Sequence, residues 1–387
     1  MRPDFLLLIP AFCGDWQTFN RDHHTLKVFY QQLDGLRALS VFAVILAHGL
    51  PFTFFRDTLG LGFWGVDLFF VLSGFLITEI LLKQICAQEK PKRMIKSFYV
   101  KRTLRIFPIF YIVLLLAIGF NLDGCRAYCG YAFTYTLNFY NASSGVEGRY
   151  LSHIWSLCVE EQFYLFWPFM LLLIKPRFHK HLIMAVIIAA VLFRWVTTIV
   201  NYHNYHIYNY RSMPSALDAL GIGAFLAYVK LFHLPLLKKA MRWRFVPALF
   251  FVLFLLLSAF NYPHRILFEE TFLRLCVSVC CFFIIAQGVF GYEGRFGRFL
   301  QTASLRYLGK ISYGIYLFHL LIQFFFDDYV DKYVLAHYSR SLPKLFQYNL
   351  HLLQLPLIIL FTVLIAAASF RWIEKPFLQL KAQFVYS

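Results

Sequence analysis

Apolar runs long enough to cross a lipid bilayer recur along the whole of this sequence, and they decide its fold class before any motif is considered. A helix needs about 20 mostly apolar residues to span the hydrocarbon core. Ten stretches meet or approach that length: 33–52, 62–83, 106–122, 155–174, 182–200, 213–232, 245–261, 271–290, 311–328 and 353–373. Their aliphatic and aromatic residues lack the strict alternation of a membrane barrel strand. The expected fold is therefore all-α, a polytopic membrane helical bundle of about ten transmembrane helices. Composition agrees, because 60% of the residues are hydrophobic and only 15% charged, where soluble domains carry about 25% charge.

The net charge of +17 is explained by where the charges fall. Lysine and arginine gather in alternate connections, most densely in Lys83, Lys90, Lys92, Arg93, Lys96, Lys101, Arg102 and Arg105, and again in Lys238, Lys239, Arg242 and Arg244. The positive-inside rule makes that face cytoplasmic, and an even number of spans brings both termini to it. The expected partner of this charge is membrane lipid; the sequence carries no nucleic-acid-binding motif. Residues 1–32 read as a cytoplasmic or interfacial extension. Their apolar piece, Phe5 to Phe12, is too short to span and is interrupted by Pro10, with a cleaved signal as the alternative. Residues 33–375 form the membrane domain and 376–387 a cytoplasmic tail. Of the 8 cysteines, Cys158, Cys276, Cys280 and Cys281 lie in apolar runs as small buried hydrophobes. Cys125 and Cys129 share a non-cytoplasmic connection and would pair if that compartment is oxidising. No metal is expected.

Inside the first run, His48 follows Arg37 by eleven residues, roughly 16 Å along a helix. Arg37 then lies near one membrane face and His48 near mid-membrane, where a titratable group is costly and marks a functional site. The competing reading is a histidine that hydrogen-bonds a neighbouring helix.

Six motifs, in order, carry a resemblance to a known family. They are Leu33-Asp34-Gly35-Leu36-Arg37-Ala38 with His48, Gly65-Val66-Asp67 through Ser73-Gly74-Phe75-Leu76-Ile77-Thr78, Phe98-Tyr99 through Pro108, Trp155-Ser156-Leu157 through Glu160-Glu161-Gln162-Phe163-Tyr164, Gly309-Lys310-Ile311-Ser312-Tyr313 through His319, and Arg371-Trp372-Ile373-Glu374-Lys375-Pro376. From about residue 30 to 380 the chain resembles the membrane-bound acyltransferase-3 family. That resemblance implies an integral-membrane O-acyltransferase, in a bacterial inner membrane, moving an acyl group from cytoplasmic acyl-coenzyme A to a hydroxyl of a glycan on the far side. The acceptor could be a lipopolysaccharide O-antigen or another polysaccharide. Acetyl-coenzyme A is the expected donor, a substrate and not a resident cofactor.

The resemblance also suggests roles. His48 would be the base or acyl carrier, since neutral imidazole can do either. Arg37, Arg102 and Arg105 would hold donor phosphates, which suits the planar guanidinium. Asp67 would orient His48 or bind a sugar hydroxyl, against the plainer reading of a carboxylate at a helix start. Glu160 is favoured over Glu161, one of the pair facing inward and the other outward. Trp155, Tyr164 and His319 are candidates to contact the acceptor, although a belt tryptophan and a structural histidine are the bland alternatives. Ser73 reads as a small packing residue. A transporter or flippase of a glycan or small solute is the alternative function, and the lack of repeated halves or paired broken helices speaks against it.

Overall fold

The computed structural model describes residues 30–50, 60–145, 148–200, 205–243, 245–259, 265–333, 337 and 350–380. Most of the N-terminal extension and of the C-terminal tail, and the connection after residue 333, lie outside these described residues.

Each of the ten apolar runs contains a long helix: α1 (Gln31–Gly49), α2 (Leu61–Cys86), α3 (Pro91–Gly119), α4 (Ile154–Leu173), α5 (His179–Val200), α6 (Met213–Phe232), α7 (Phe245–Ala259), α8 (Arg265–Phe290), α9 (Ser312–Phe325) and α10 (Leu350–Ser369). There is no strand among the described residues. Helices are the natural outcome, because a lone strand in lipid would leave its backbone groups unsatisfied. Six helices are long and apolar enough to cross a membrane on their own, or up to eight if two bent pairs are counted as spans. The helices α1 and α4 are not among them, and each carries polar residues in its first half, Arg37 in one and Glu160-Glu161-Gln162 in the other; His48 falls in the last turn of α1, so it stands at the end of that helix and not at mid-membrane as its spacing from Arg37 suggested.

The α2 and α6 helices form the centre of the bundle, and small residues let them touch. A Cβ added to Gly74 would stand 2.0 Å from the Leu220 carbonyl oxygen, and one added to Gly223 would stand 2.0 Å from that of Val71. This is the close backbone approach that small residues permit between membrane helices. Around this pair pack α1, α5 and α8, while lipid-sized side chains such as Leu192, Val200, Leu249 and Leu364 are exposed on the outside.

Two departures from the sequence expectation shape the interior. The third helix begins well before the apolar run at 106: α3 starts at Pro91, a residue suited to a first helical turn, and runs through Pro108 to Gly119, with Arg102 and Arg105 on it as their spacing of three suggests. Arg102 and Arg105 are thus fixed on a rigid element. Near residue 311 the chain does not enter its span straight but bends by 72° between Ala303–Lys310 and α9. The bend sits on α1, since a Cβ on Gly309 would come within 1.8 Å of the Asp34 carbonyl oxygen. Short helices at Leu122–Ala127, Cys129–Phe133 and Leu137–Ser144 close the α3–α4 connection. Within it Cys125 and Cys129 are free thiols, with the Cys129 thiol directed at the Arg126 carbonyl at 3.2 Å, so the pairing allowed by their spacing is not formed.

Candidate active site

The motif residues border a chain of cavities that runs from the basic end of the bundle towards its middle. At the basic end Asp34, Arg37, Arg105, Arg306, Lys310 and Glu374 line a cleft of about 1120 Å³. Arg37 and Arg105 also border the next cavity, about 770 Å³, whose walls include Ser73, Arg102, Glu160, Glu161, Tyr164, Tyr313 and Tyr316. The two therefore meet at the same pair of guanidinium groups. Arg37 is steadied by Asp34 at 3.0 Å, one turn earlier on α1. The Arg102 guanidinium lies 4.9 Å from the centroid of the Tyr164 ring, a cation–π distance.

Both carboxylates of the Glu160-Glu161 pair face this inner cavity, where the sequence suggested that only one would. The cavity is broad enough at the meeting of α2, α3, α4 and α9 to take two successive side chains of one helix. Ser73 donates to Glu160 Oε1 at 2.6 Å and accepts from the Tyr164 hydroxyl at 3.0 Å. Ser73, set aside from sequence as a packing residue, is thus the hub of a polar triad. Nothing in a Leu-Ser-Gly tripeptide signals that role, because its partners come from a helix some 90 residues on.

The inner cavity ends against Tyr316. Its hydroxyl pairs with Ser156 at 2.6 Å and donates to the His153 carbonyl at 3.1 Å, and its ring lies 5.4 Å from the imidazoles of both His153 and His319. His319 stands between His153 and His48, with centroid distances of 4.9 and 5.2 Å. All three rings are held by backbone carbonyls: His48 Nδ1 on Val44 at 2.9 Å, His153 Nε2 on Leu317 at 3.1 Å, and His319 Nδ1 on Tyr316 at 2.5 Å. A carbonyl only accepts, so each bonded nitrogen carries the proton and the lone pair falls on the other one. In His48 that nitrogen is Nε2. His153 was not singled out by sequence, because it sits just before the apolar run of α4.

His48 also borders a third cavity, about 1410 Å³, at the opposite end from the basic cleft. Its walls include Phe63, Asn209, Tyr210, Glu269, Glu270 and Arg274. Three candidates fall elsewhere than the sequence suggested. Asp67 is fully buried with Oδ1 3.3 Å from Arg274 Nε and accepts from Ser278 at 3.5 Å; its partners are these and not His48. Beside it Arg194 and Asp218 form a second buried pair at 2.6 Å. Trp155 is 4% exposed, wedged against Tyr210 at 4.8 Å and Phe70 at 6.1 Å, so it is a core residue and not part of an aromatic belt. Tyr164 borders the inner cavity and not the outer one. No group of histidine, cysteine and carboxylate side chains suited to a metal occurs among the described residues.

This arrangement offers cations at one end, a narrow polar passage, and an imidazole that borders a separate chamber. The chain matches the acyltransferase-3 family, described as an acyltransferase domain, over residues 30–371. It is 30% identical over 375 residues to a peptidoglycan O-acetyltransferase of Listeria monocytogenes, covering 90% of this chain and 56% of that protein. It is 30% identical over 378 residues to a putative O-acetyltransferase of Staphylococcus aureus and 27% identical over 368 residues to a second O-acetyltransferase of that species, in each case with 89% of this chain and 56% of the relative covered. The chain thus spans little more than half the length of these relatives. No solved structure matches it. With the family matched across nearly the whole helical bundle, whose long apolar helices suit a membrane, the chain belongs to the acyltransferase-3 family.

Proposed function

We propose that this acyltransferase moves an acetyl group from acyl-coenzyme A, bound from the basic end, to a hydroxyl of a glycan held at the opposite end. The observation that carries the reading is that Arg37 and Arg105 border both the basic cleft and the inner cavity. A phosphate-rich donor gripped there has its thioester arm directed towards Tyr316 and the histidines. Arginine grips phosphate oxygens two at a time, and Arg306 and Lys310 add positive charge at the same mouth. By the positive-inside rule the basic end faces the cytoplasm of a bacterial inner membrane, with both termini on that side.

In the chemistry that follows, His48 Nε2 takes the proton of the acceptor hydroxyl as its oxygen attacks the thioester carbonyl. The carbon–sulfur bond breaks, and the departing thiolate recovers the proton. The same nitrogen also suits a two-step route through an acyl-imidazole. The names of the relatives support O-acetylation in particular.

The test is coenzyme A release from acetyl-coenzyme A by the full chain in lipid nanodiscs, with and without a panel of glycans, beside His48→Ala. Release that requires both a glycan and His48 is expected. Release unchanged in His48→Ala would overturn the reading.

A further inference from the structure

We propose that His319 and His153 read the pantetheine arm of the donor, each accepting a hydrogen bond from one of its two amide N–H groups. This rests on the reading of coenzyme A as donor and of His48 as the imidazole that the acyl group reaches. Two buried atoms carry the inference. His153 is 3% exposed and His319 1%, and neither His153 Nδ1 nor His319 Nε2 has a hydrogen-bond partner among the described residues. On each ring the other nitrogen donates to a backbone carbonyl, that of Leu317 and that of Tyr316 respectively, so both orphaned nitrogens are acceptors. Buried polar atoms are almost always paired, because an empty one is costly. The missing partner is an N–H or O–H donor.

Position says which donor. The far chamber is bordered by His48 and by neither of these two histidines. Both rings lie 5.4 Å from Tyr316, the residue against which the inner cavity ends, so they flank the stretch between the donor's cavity and His48. A thioester that reaches His48 draws its arm past them.

The acetyl group carries no N–H or O–H, but the arm carries two amide N–H groups at even spacing. Four bonds separate the thioester carbon from the nearer amide nitrogen, through sulfur and two methylenes, and four more separate that nitrogen from the farther one. The imidazoles are evenly spaced as well, 5.2 Å from His48 to His319 and 4.9 Å from His319 to His153, centroid to centroid. Each interval is within the reach of four single bonds between heavy atoms. With the thioester carbon at His48, the nearer N–H falls to His319 Nε2 and the farther to His153 Nδ1. The phosphates are met by cations and the arm by acceptors. Both contacts form only once the arm has passed Tyr316, so they favour turnover more than the first grip on the donor.

The experiment follows thiol release by the full chain in nanodiscs, at saturating donor and with the same glycan panel, from three donors. These are acetyl-coenzyme A, an analogue with an ester oxygen in place of the nearer amide nitrogen, and one with an ester oxygen in place of the farther. An ester keeps the span and loses the N–H. Each analogue is expected to react at least about tenfold more slowly, because each leaves a buried acceptor unpaired. His319→Leu should remove the penalty for the nearer ester and keep that for the farther, and His153→Leu should do the reverse. His319→Gln and His153→Gln, which keep an acceptor, should retain both penalties. Equal rates from the three donors in the unmodified chain, as trapped water at the two nitrogens would give, overturn the proposal whether or not the leucine variants fold. Penalties that folded leucine variants leave unchanged overturn it as well. His48-dependent release without discrimination counts only against this inference, whereas no release from any donor removes the proposed function and this inference with it.

Discussion

The imidazole of His319 stands 5.2 Å from that of His48, centroid to centroid, and is tilted 59° to it. Held at its own Nδ1 by the Tyr316 carbonyl, His319 presents its Nε2 lone pair in the buried space beside His48, and that nitrogen has no hydrogen-bond partner among the described residues. A ring locked in this way sets the position of its neighbour. His319→Leu should lower kcat by about 100-fold, the scale of a small misplacement of a reacting group, with the donor KM little changed. His319→Gln, which keeps an acceptor near the same place, should recover much of the rate. Steady-state kinetics of the two variants decide this, and equal losses in both would assign His319 a packing role only.

The basic cleft predicts a different kinetic signature. Arg105→Ala removes a cation that borders both the cleft and the inner cavity. A charge-assisted hydrogen bond contributes about 1.5–3 kcal/mol, so KM for acetyl-coenzyme A should rise by about 10- to 100-fold. Arg306→Ala should act in the same direction from the outer wall of the cleft. Donor titrations at saturating acceptor provide the check; an unchanged KM in both variants would remove the cleft from donor binding.

Asp67 is predicted to matter for stability through Arg274. Replacing it with Asn leaves the buried guanidinium with its charge unmatched, a loss of about 3–5 kcal/mol. The double variant Asp67→Asn with Arg274→Met removes both charges and should regain much of that loss. Thermal unfolding in detergent compares the two, and a double variant no more stable than the single one would argue against the pair.

The crossing of α2 and α6 makes a packing prediction. Gly74→Ala places a methyl group 2.0 Å from a backbone oxygen that has no freedom to retreat, and should cost about 1–3 kcal/mol or more. Gly119→Ala, at a position with nothing within 4 Å, should leave Tm unchanged. Similar Tm values for the two variants would contradict the tight crossing.

The sequence made the bundle legible because long apolar runs have few folded outcomes in lipid. It made Arg37 and His48 conspicuous as polar groups in an apolar run, but not the depth of His48, which lies in the last turn of α1. Much of the site was hidden for the same reason. An apolar window trims off the polar first turns of a helix, and those turns face the chambers here. The run beginning at 106 left out the first turns of α3, which starts at Pro91, and the run beginning at 271 excluded Glu269 and Glu270 from α8, which starts at Arg265. The bend before Ser312 could not be read either, because it depends on Gly309 meeting the Asp34 carbonyl of a helix nearly 300 residues earlier. Ser73 and His153 gain their significance from partners distant in sequence in the same way.

The central claim is that the acyl group passes from the basic end to a hydroxyl at the other end by way of His48. Sealed proteoliposomes with one orientation of the chain test it most directly, with radiolabelled acetyl-coenzyme A confined to the compartment facing the basic end and a glycan confined to the opposite one. The account predicts label on the glycan from the unmodified chain and none from His48→Ala. Transfer only when donor and acceptor share one compartment, or transfer that survives His48→Ala, would contradict it.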